Sequence, residues 1–173
     1  MIDLNHLERY RENNRLEAKR AVGGLPQSLW ETYSAFANTQ GGVILLGVEE
    51  YRDKSLHAVD LPDVSGILQD FWDIINDPDK VSANILRDCD VREKILEGKH
   101  IIVINVPRAP LGDLPVYLGG SPQNGTFWRS GEGDFRCSPE EILKMASGLG
   151  EPEILINPSD SRKKGVIPDG GNE

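Results

Sequence analysis

SAFANTQGGVILLGVEE, running from Ser34 to Glu50, decides how this chain folds. Upstream of it, Leu29, Tyr33, Phe36 and Ala37 recur at helical spacing behind Pro26, which suits a first helical turn because its missing N–H costs nothing there. Asn38, Thr39 and Gln40 end that pattern, and Gly41-Gly42 stop the helix, since glycine takes a left-handed cap cheaply. Gly42 to Glu50 then reads as one continuous strand, with Val43, Ile44, Leu45 and Leu46 buried on both faces. That strand delivers two carboxylates, Glu49 and Glu50, at its far end. A helix and strand joined this tightly form either plain scaffolding or the wall of a site.

Working outward, IDLNHLERY predicts a short helix, and RLEAKRAV a strand with Leu16, Ala18 and Arg20 on one side and Glu17, Lys19 and Ala21 on the other. YRDKSLHAVD predicts a loop and a short returning strand. Val64, Ile67, Leu68, Phe71, Ile74 and Ile75 form the stripe of a second amphipathic helix, closed by Pro78. SANILRDCDVREKIL and KHIIVINVP predict a hairpin about the EGK turn. PVYLGG, GTFWRS and DFRCS predict three short strands, with Asn124-Gly125 as a hairpin turn. Ser138, Pro139 and Glu141 start a closing helix through a capping box. This order predicts a single mixed α+β domain over residues 1–150 with three to four helices. Residues 151–173 are polar and rich in Pro and Gly, the pattern of a linker or disordered tail with more chain expected beyond it.

The net charge of −9 is unevenly spread: residues 1–48 are neutral, whereas residues 49–100 carry a net of −6. An acidic chain attracts phosphate backbones poorly, so a nucleic-acid function needs a local basic patch. No apolar run reaches the roughly 20 residues of a spanning helix, and the start lacks a signal-peptide h-region, so a cytoplasmic location is expected. Cys89 and Cys137 form no metal or disulfide framework. There is no GxxxxGK nucleotide loop, and His6, His57 and His100 each lack a second His or Cys nearby in sequence.

Two constellations remain. Glu12 and Glu17 flank the start of the first strand, and Glu49 and Glu50 end the buried one. If those strands are neighbours, three acids could converge and hold Mg²⁺ or Mn²⁺ through oxygen. The competing reading makes them solvated charges beside Arg15, Lys19 and Arg20. The second constellation is cationic: Lys19 and Arg20 on the first strand, with Arg129 and Arg136 on two late strands beside Trp128 and Phe135. Such side chains neutralise phosphates and stack on bases, unless the aromatics are core and the arginines rim.

Taken together, ENNRLEAKRAVGGLPQSLWETYSAFANTQGGVILLGVEE and PVYLGGSPQNGTFWRSGEGDFRCSPEEI resemble the Schlafen-type AlbA_2 domain across roughly residues 8–148. The matching positions are Glu12, Glu17, Lys19, Ala35 to Thr39, Gly41, Gly42, Gly47, Val48 and Glu49. The resemblance implies a DNA-binding α+β domain at the N-terminus of a bacterial transcriptional regulator. It also implies kinship with metal-dependent ribonucleases whose two glutamates and aspartate fall here on Glu12, Glu17 and Glu49, with Glu50 as an alternative third acid. Here the third acid is glutamate, Ala18 stands where an aromatic often follows the second glutamate, and one module is present where active relatives pair two. Three functions are thus in view: a nucleic-acid-binding domain contacting DNA or RNA through Lys19, Arg20, Arg129 and Arg136; a ribonuclease using Glu12, Glu17 and Glu49; and a protein-interaction domain without catalysis. A homodimer would give the first its larger basic surface, and no membrane partner is expected.

Overall fold

Alternation along two central strands organises the molecule. The computed structural model describes residues 2–148. Its main sheet contains β1 (Leu16–Lys19), β2 (Gly42–Leu46), β5 (Val91–Leu96) and β6 (Lys99–Val106), in the order β1-β2-β6-β5. β1 runs parallel to β2, with Glu17 opposite Ile44, and the other pairings are antiparallel. Successive side chains of a strand point to opposite faces. Ile44, Leu46, Ile102, Ile104 and Val106 accordingly enter one apolar cluster, with α1 (Gln27–Asn38) and α2 (Val64–Ile75). Leu45, Ile101 and Val103 enter a second, with Leu7 of the opening 3-10 helix (Leu4–Arg9) and Leu16. The unbroken apolar run of β2 follows from burial on both faces. The edge strand β5 is instead charged and half exposed, which discourages pairing with another chain.

The continuous strand expected over Gly42–Glu50 is in fact two. At Gly47 (φ +84°) the chain leaves the main sheet, and β3 (Val48–Glu50) pairs antiparallel with β4 (Leu56–Ala58) as a separate ribbon. A Cβ at residue 47 would lie 2.7 Å from Leu61 Cγ, so the turn needs glycine. The three late strands reduce to two, β7 (Phe127–Ser130) and β8 (Gly133–Arg136), because Tyr117 and Leu118 make only isolated bridges. Asn124-Gly125 belongs to the one-turn helix α3 (Pro122–Gly125), not to a hairpin turn. Residues 83–87 are irregular, and the strand expected from Ser82 starts only at Val91. The β5–β6 turn does follow the sequence, with Glu97 (φ +51°) and Gly98 (φ +79°) in left-handed geometry. So does the capping box of α4 (Pro139–Ser147), in which Ser138 and Glu141 exchange bonds. The linker expected over residues 151–173 lies outside the described residues.

α1 is buried over most of its circumference because β7 and β8 cover the side turned away from the sheet. Its Leu29 and Phe36 are fully buried, each stabilising the fold by about 1.5–3 kcal/mol. Asn38, the last residue of α1, is fully buried and turns its amide into the structure. Its amide donates to the carbonyls of Val116 and Phe127 (both 2.9 Å) and accepts from the Val116 N–H (2.8 Å). Ser34 and Thr39 reach the same segment, accepting from the N–H groups of Phe127 and Arg129. The AFANT stretch is therefore a row of staples that fixes the closing ribbon onto α1.

Candidate functional site

The first site feature is a buried chain of ions. Glu17 lies on the inner side of β1, and its Oε1 accepts from Arg129 Nη2 at 2.9 Å. Its Oε2 sits 3.1 Å from Lys19 Nζ, which also donates to Ser28 Oγ. Arg129, on β7, is 1% exposed. Its Nη1 donates to Asp134 Oδ1 at 2.8 Å, its Nη2 also to the Asn13 carbonyl at 2.8 Å, and its guanidinium lies 4.9 Å from the Phe36 ring centre. Thr32 of α1 donates to the other Asp134 oxygen at 2.6 Å. Four elements are thereby tied through one guanidinium. Charges this deep are tolerable only because each meets an opposite charge and further hydrogen bonds.

The second feature is a trio of carboxylates beside that network. Glu12 precedes β1, and its Oε2 accepts from the Ala18 N–H at 3.0 Å. Glu50 ends β3, and Glu132 sits in the turn between β7 and β8. One oxygen from each lies within 4.8 Å of the others. Burial pushes the Glu12 carboxyl up to about 7; the charges of Glu17, Glu50 and Glu132 push the same way, and the Ala18 amide opposes them. A hard divalent cation takes oxygen ligands at about 2.0–2.6 Å, so three carboxylate oxygens within 4.8 Å of one another could hold one after a small closing movement.

The trio is not the expected one. Glu17 lies near enough to Glu12 for its charge to be felt there, but it is committed to Arg129 and Lys19, and Glu49 pairs with Arg20 at 3.1 Å. Adjacent residues of a strand face opposite ways, so β3 cannot aim Glu49 and Glu50 at one point. Glu132 escaped sequence reading because it reaches the trio only through the packing of β7 and β8, more than a hundred residues after Glu12. Its one local signal is an acid between two glycines in a strand-to-strand turn.

The expected cationic face also changes. Arg129 is an internal counter-ion and is not placed to meet a phosphate. Lys19 is largely covered by Glu17 and Ser28. Arg20, with its side chain 65% exposed, and Arg136 do stand at the surface. Arg136 lies over the Phe127 ring and borders a cleft of about 560 Å³ with Trp30 and Lys80. Trp128 is half-buried against the core, whereas Phe135 is 57% exposed. No helix among the described residues is long and apolar enough to cross a membrane.

Comparison with known proteins gives a consistent kinship. The N-terminal domain of a Nitrosomonas europaea protein named as related to the ATP-dependent DNA helicase RecG shares 29% identity with this chain. The TM-score is 0.57, over 78% of this chain and 90% of that one. The DIP2311 protein from Corynebacterium diphtheriae shares the fold at 17% identity and a TM-score of 0.52; the match covers 82% of this chain but only 25% of that one. No curated protein matches. The family described as Schlafen, AlbA_2 matches residues 12–138, which take in the Glu12–Glu17 pair, the AFANT staples and the closing ribbon, and the chain belongs to that family.

Proposed function

We propose that this chain is a nucleic-acid-binding domain, serving as the DNA-binding part of a transcriptional regulator. The observation that carries the reading is the likeness to the N-terminal domain of a RecG-related protein, spanning nearly all of that domain. Arg20 and Arg136 supply exposed cations, although a net charge of −9 keeps non-specific attraction weak. A homodimer would double those cations, and sedimentation of the same sample reports it. The test is electrophoretic mobility with duplex DNA, single-stranded DNA and tRNA, with and without Mg²⁺. A shift that weakens steeply with salt supports the reading. No shift with any of the three at low salt refutes it.

The carboxylate trio favours a second reading, a divalent-metal-dependent ribonuclease. Mg²⁺ or Mn²⁺ held by Glu12, Glu50 and Glu132 would supply a Lewis acid for a phosphodiester oxygen. In this reading Glu17 acts at one remove, holding through Arg129 the ribbon that carries Glu132, while Glu49 orients Arg20. Metal-dependent cleavage of tRNA that disappears in both Glu50→Gln and Glu132→Gln supports it. Cleavage unaltered in those variants comes from a contaminant.

A further inference from the structure

The β3–β4 ribbon carries a feature that neither the family match nor the carboxylate trio uses. Tyr51, immediately after Glu50, stacks on His57 with ring centres 3.6 Å apart and planes 19° from parallel. Tyr51 is nevertheless 47% exposed. Both rings are held in advance. The Tyr51 N–H donates to the Ser55 carbonyl (2.9 Å) and the Lys54 N–H to the Tyr51 carbonyl (2.8 Å), closing the turn. The buried Ser55 hydroxyl donates to Asp53 and meets His57 Nε2 at 2.7 Å, which fixes the imidazole beneath the phenol. An aromatic face that is both exposed and rigid loses little freedom when another ring stacks on it.

The charges around the ring complete the picture. Arg52 is exposed and meets no carboxylate among the described residues. Among the described residues Arg11 donates to the backbone carbonyls of Glu8 and Tyr10, and its charge is felt at Asp53. Lys54 is held loosely by Glu50 at 3.7 Å. Of the local acids, Glu49 pairs with Arg20 and Glu50 with Lys54, while Asp53 accepts from Ser55. An exposed aromatic face, with Arg52 next in sequence and Arg11 near Asp53 of the same turn, suits a base with its flanking phosphates.

We infer that the β3–β4 ribbon is a stacking platform for an unpaired nucleobase, with Tyr51 as the face and Arg52 and Arg11 as the phosphate contacts. This rests on the nucleic-acid reading and specifies its mode: the strand is single and is gripped beside the trio, at the residue that follows Glu50. The sequence hid the platform because it pairs residues across a turn that only the break at Gly47 creates.

The test is fluorescence anisotropy of labelled single-stranded RNA, single-stranded DNA and duplex DNA with the wild type, Tyr51→Ala, Tyr51→Phe, Arg52→Ala and Phe135→Ala. Circular dichroism confirms that each variant is folded. Tyr51→Ala should weaken single-strand binding about tenfold, and Tyr51→Phe should retain it. Arg52→Ala should lower the slope of log affinity against log salt by about 0.7. The RNA and DNA arms show which strand is preferred. The inference is overturned if the wild type binds but Tyr51→Ala binds equally well, if only duplex binds, or if the loss is confined to Phe135→Ala. These results leave the broader reading standing. A wild type that binds none of the three refutes both.

Discussion

Glu12→Gln is expected to stabilise the protein, and to do so only above acid pH. In the folded chain the Glu12 carboxyl rises from 4.5 to about 7, chiefly through burial. At about 1.4 kcal/mol per pH unit, the full rise corresponds to roughly 3 kcal/mol. Solvent reaches part of this side chain and screens it, which reduces the effect to about 1–2 kcal/mol. Between pH 4.5 and 7 the folded state binds the proton that the unfolded state has released, so stability falls as pH rises through that window. Glutamine has no proton to lose and keeps an oxygen to accept the Ala18 N–H. Wild type and variant should therefore melt together near pH 4, and the variant should melt about 3–6 °C higher at pH 8. Differential scanning calorimetry across pH 4–8 measures this directly. Millimolar Mg²⁺ or Mn²⁺ at pH 8 should raise the wild-type melting temperature more than that of the variant, because the cation replaces the proton as counter-charge. A gap that is equal at pH 4 and pH 8, or a variant less stable at pH 8, would falsify the account of Glu12.

Arg129→Met should lower unfolding free energy by about 3–5 kcal/mol in urea titration, since it leaves Glu17 and Asp134 buried without their shared cation. Asn38→Ala strands the Val116 N–H and removes a donor from the Phe127 carbonyl, while Ser34 still donates to the Val116 carbonyl; it should cost roughly 1–3 kcal/mol by the same measurement. Gly47→Ala forces a positive φ and brings a methyl against Leu61; a loss of at least about 1 kcal/mol is expected, and an unchanged midpoint would contradict the turn described for β2 and β3. A thiol reagent should titrate one cysteine, the exposed Cys89, in the native protein and two in denaturant. Cys137 is buried, and burial pushes its thiol well above the usual range.

Much of the fold was legible because its signals are local. The stripe of α2, the capping box of α4 and the β5–β6 turn each lie within a dozen residues, and each forms as its pattern requires. The misreadings involve groups whose role depends on distant partners. Gly47 looked like one more residue of a buried strand, and only the approach of Leu61 shows why the chain must turn there. Asn38 stood where a helix-end residue stands, but its bonds go to residues about 80–90 positions later. Arg129 alternated with aromatics as a surface arginine would, and nothing in FWRS announces that Glu17 and Asp134 await it. The trio was half visible: Glu12 and the Glu49–Glu50 pair were singled out, while the choice between those two needed the register of β3, and Glu132 needed tertiary packing.

The fate of Glu17 shows how one family pattern can serve architecture and site together. Both oxygens of Glu17 are already held, Oε1 by Arg129 and Oε2 by Lys19; were Glu17 drawn from Arg129 to a cation among Glu12, Glu50 and Glu132, Arg129 would keep Asp134 as its sole carboxylate partner at 1% exposure. Breaking a buried pair in this way costs about 3–5 kcal/mol, and the cation would also face the repulsion of Lys19 and Arg129. The arrangement instead leaves Glu17 bound and lets its partner do the positioning. Arg129 fixes Asp134, Asp134 lies two residues beyond Glu132, and the turn is thereby held where its glutamate meets Glu12 and Glu50. Spacing two glutamates around the first strand thus separates their duties. The earlier one, partly open to solvent, bears the high carboxyl value and the place in the trio, while the later one anchors the ribbon that completes it.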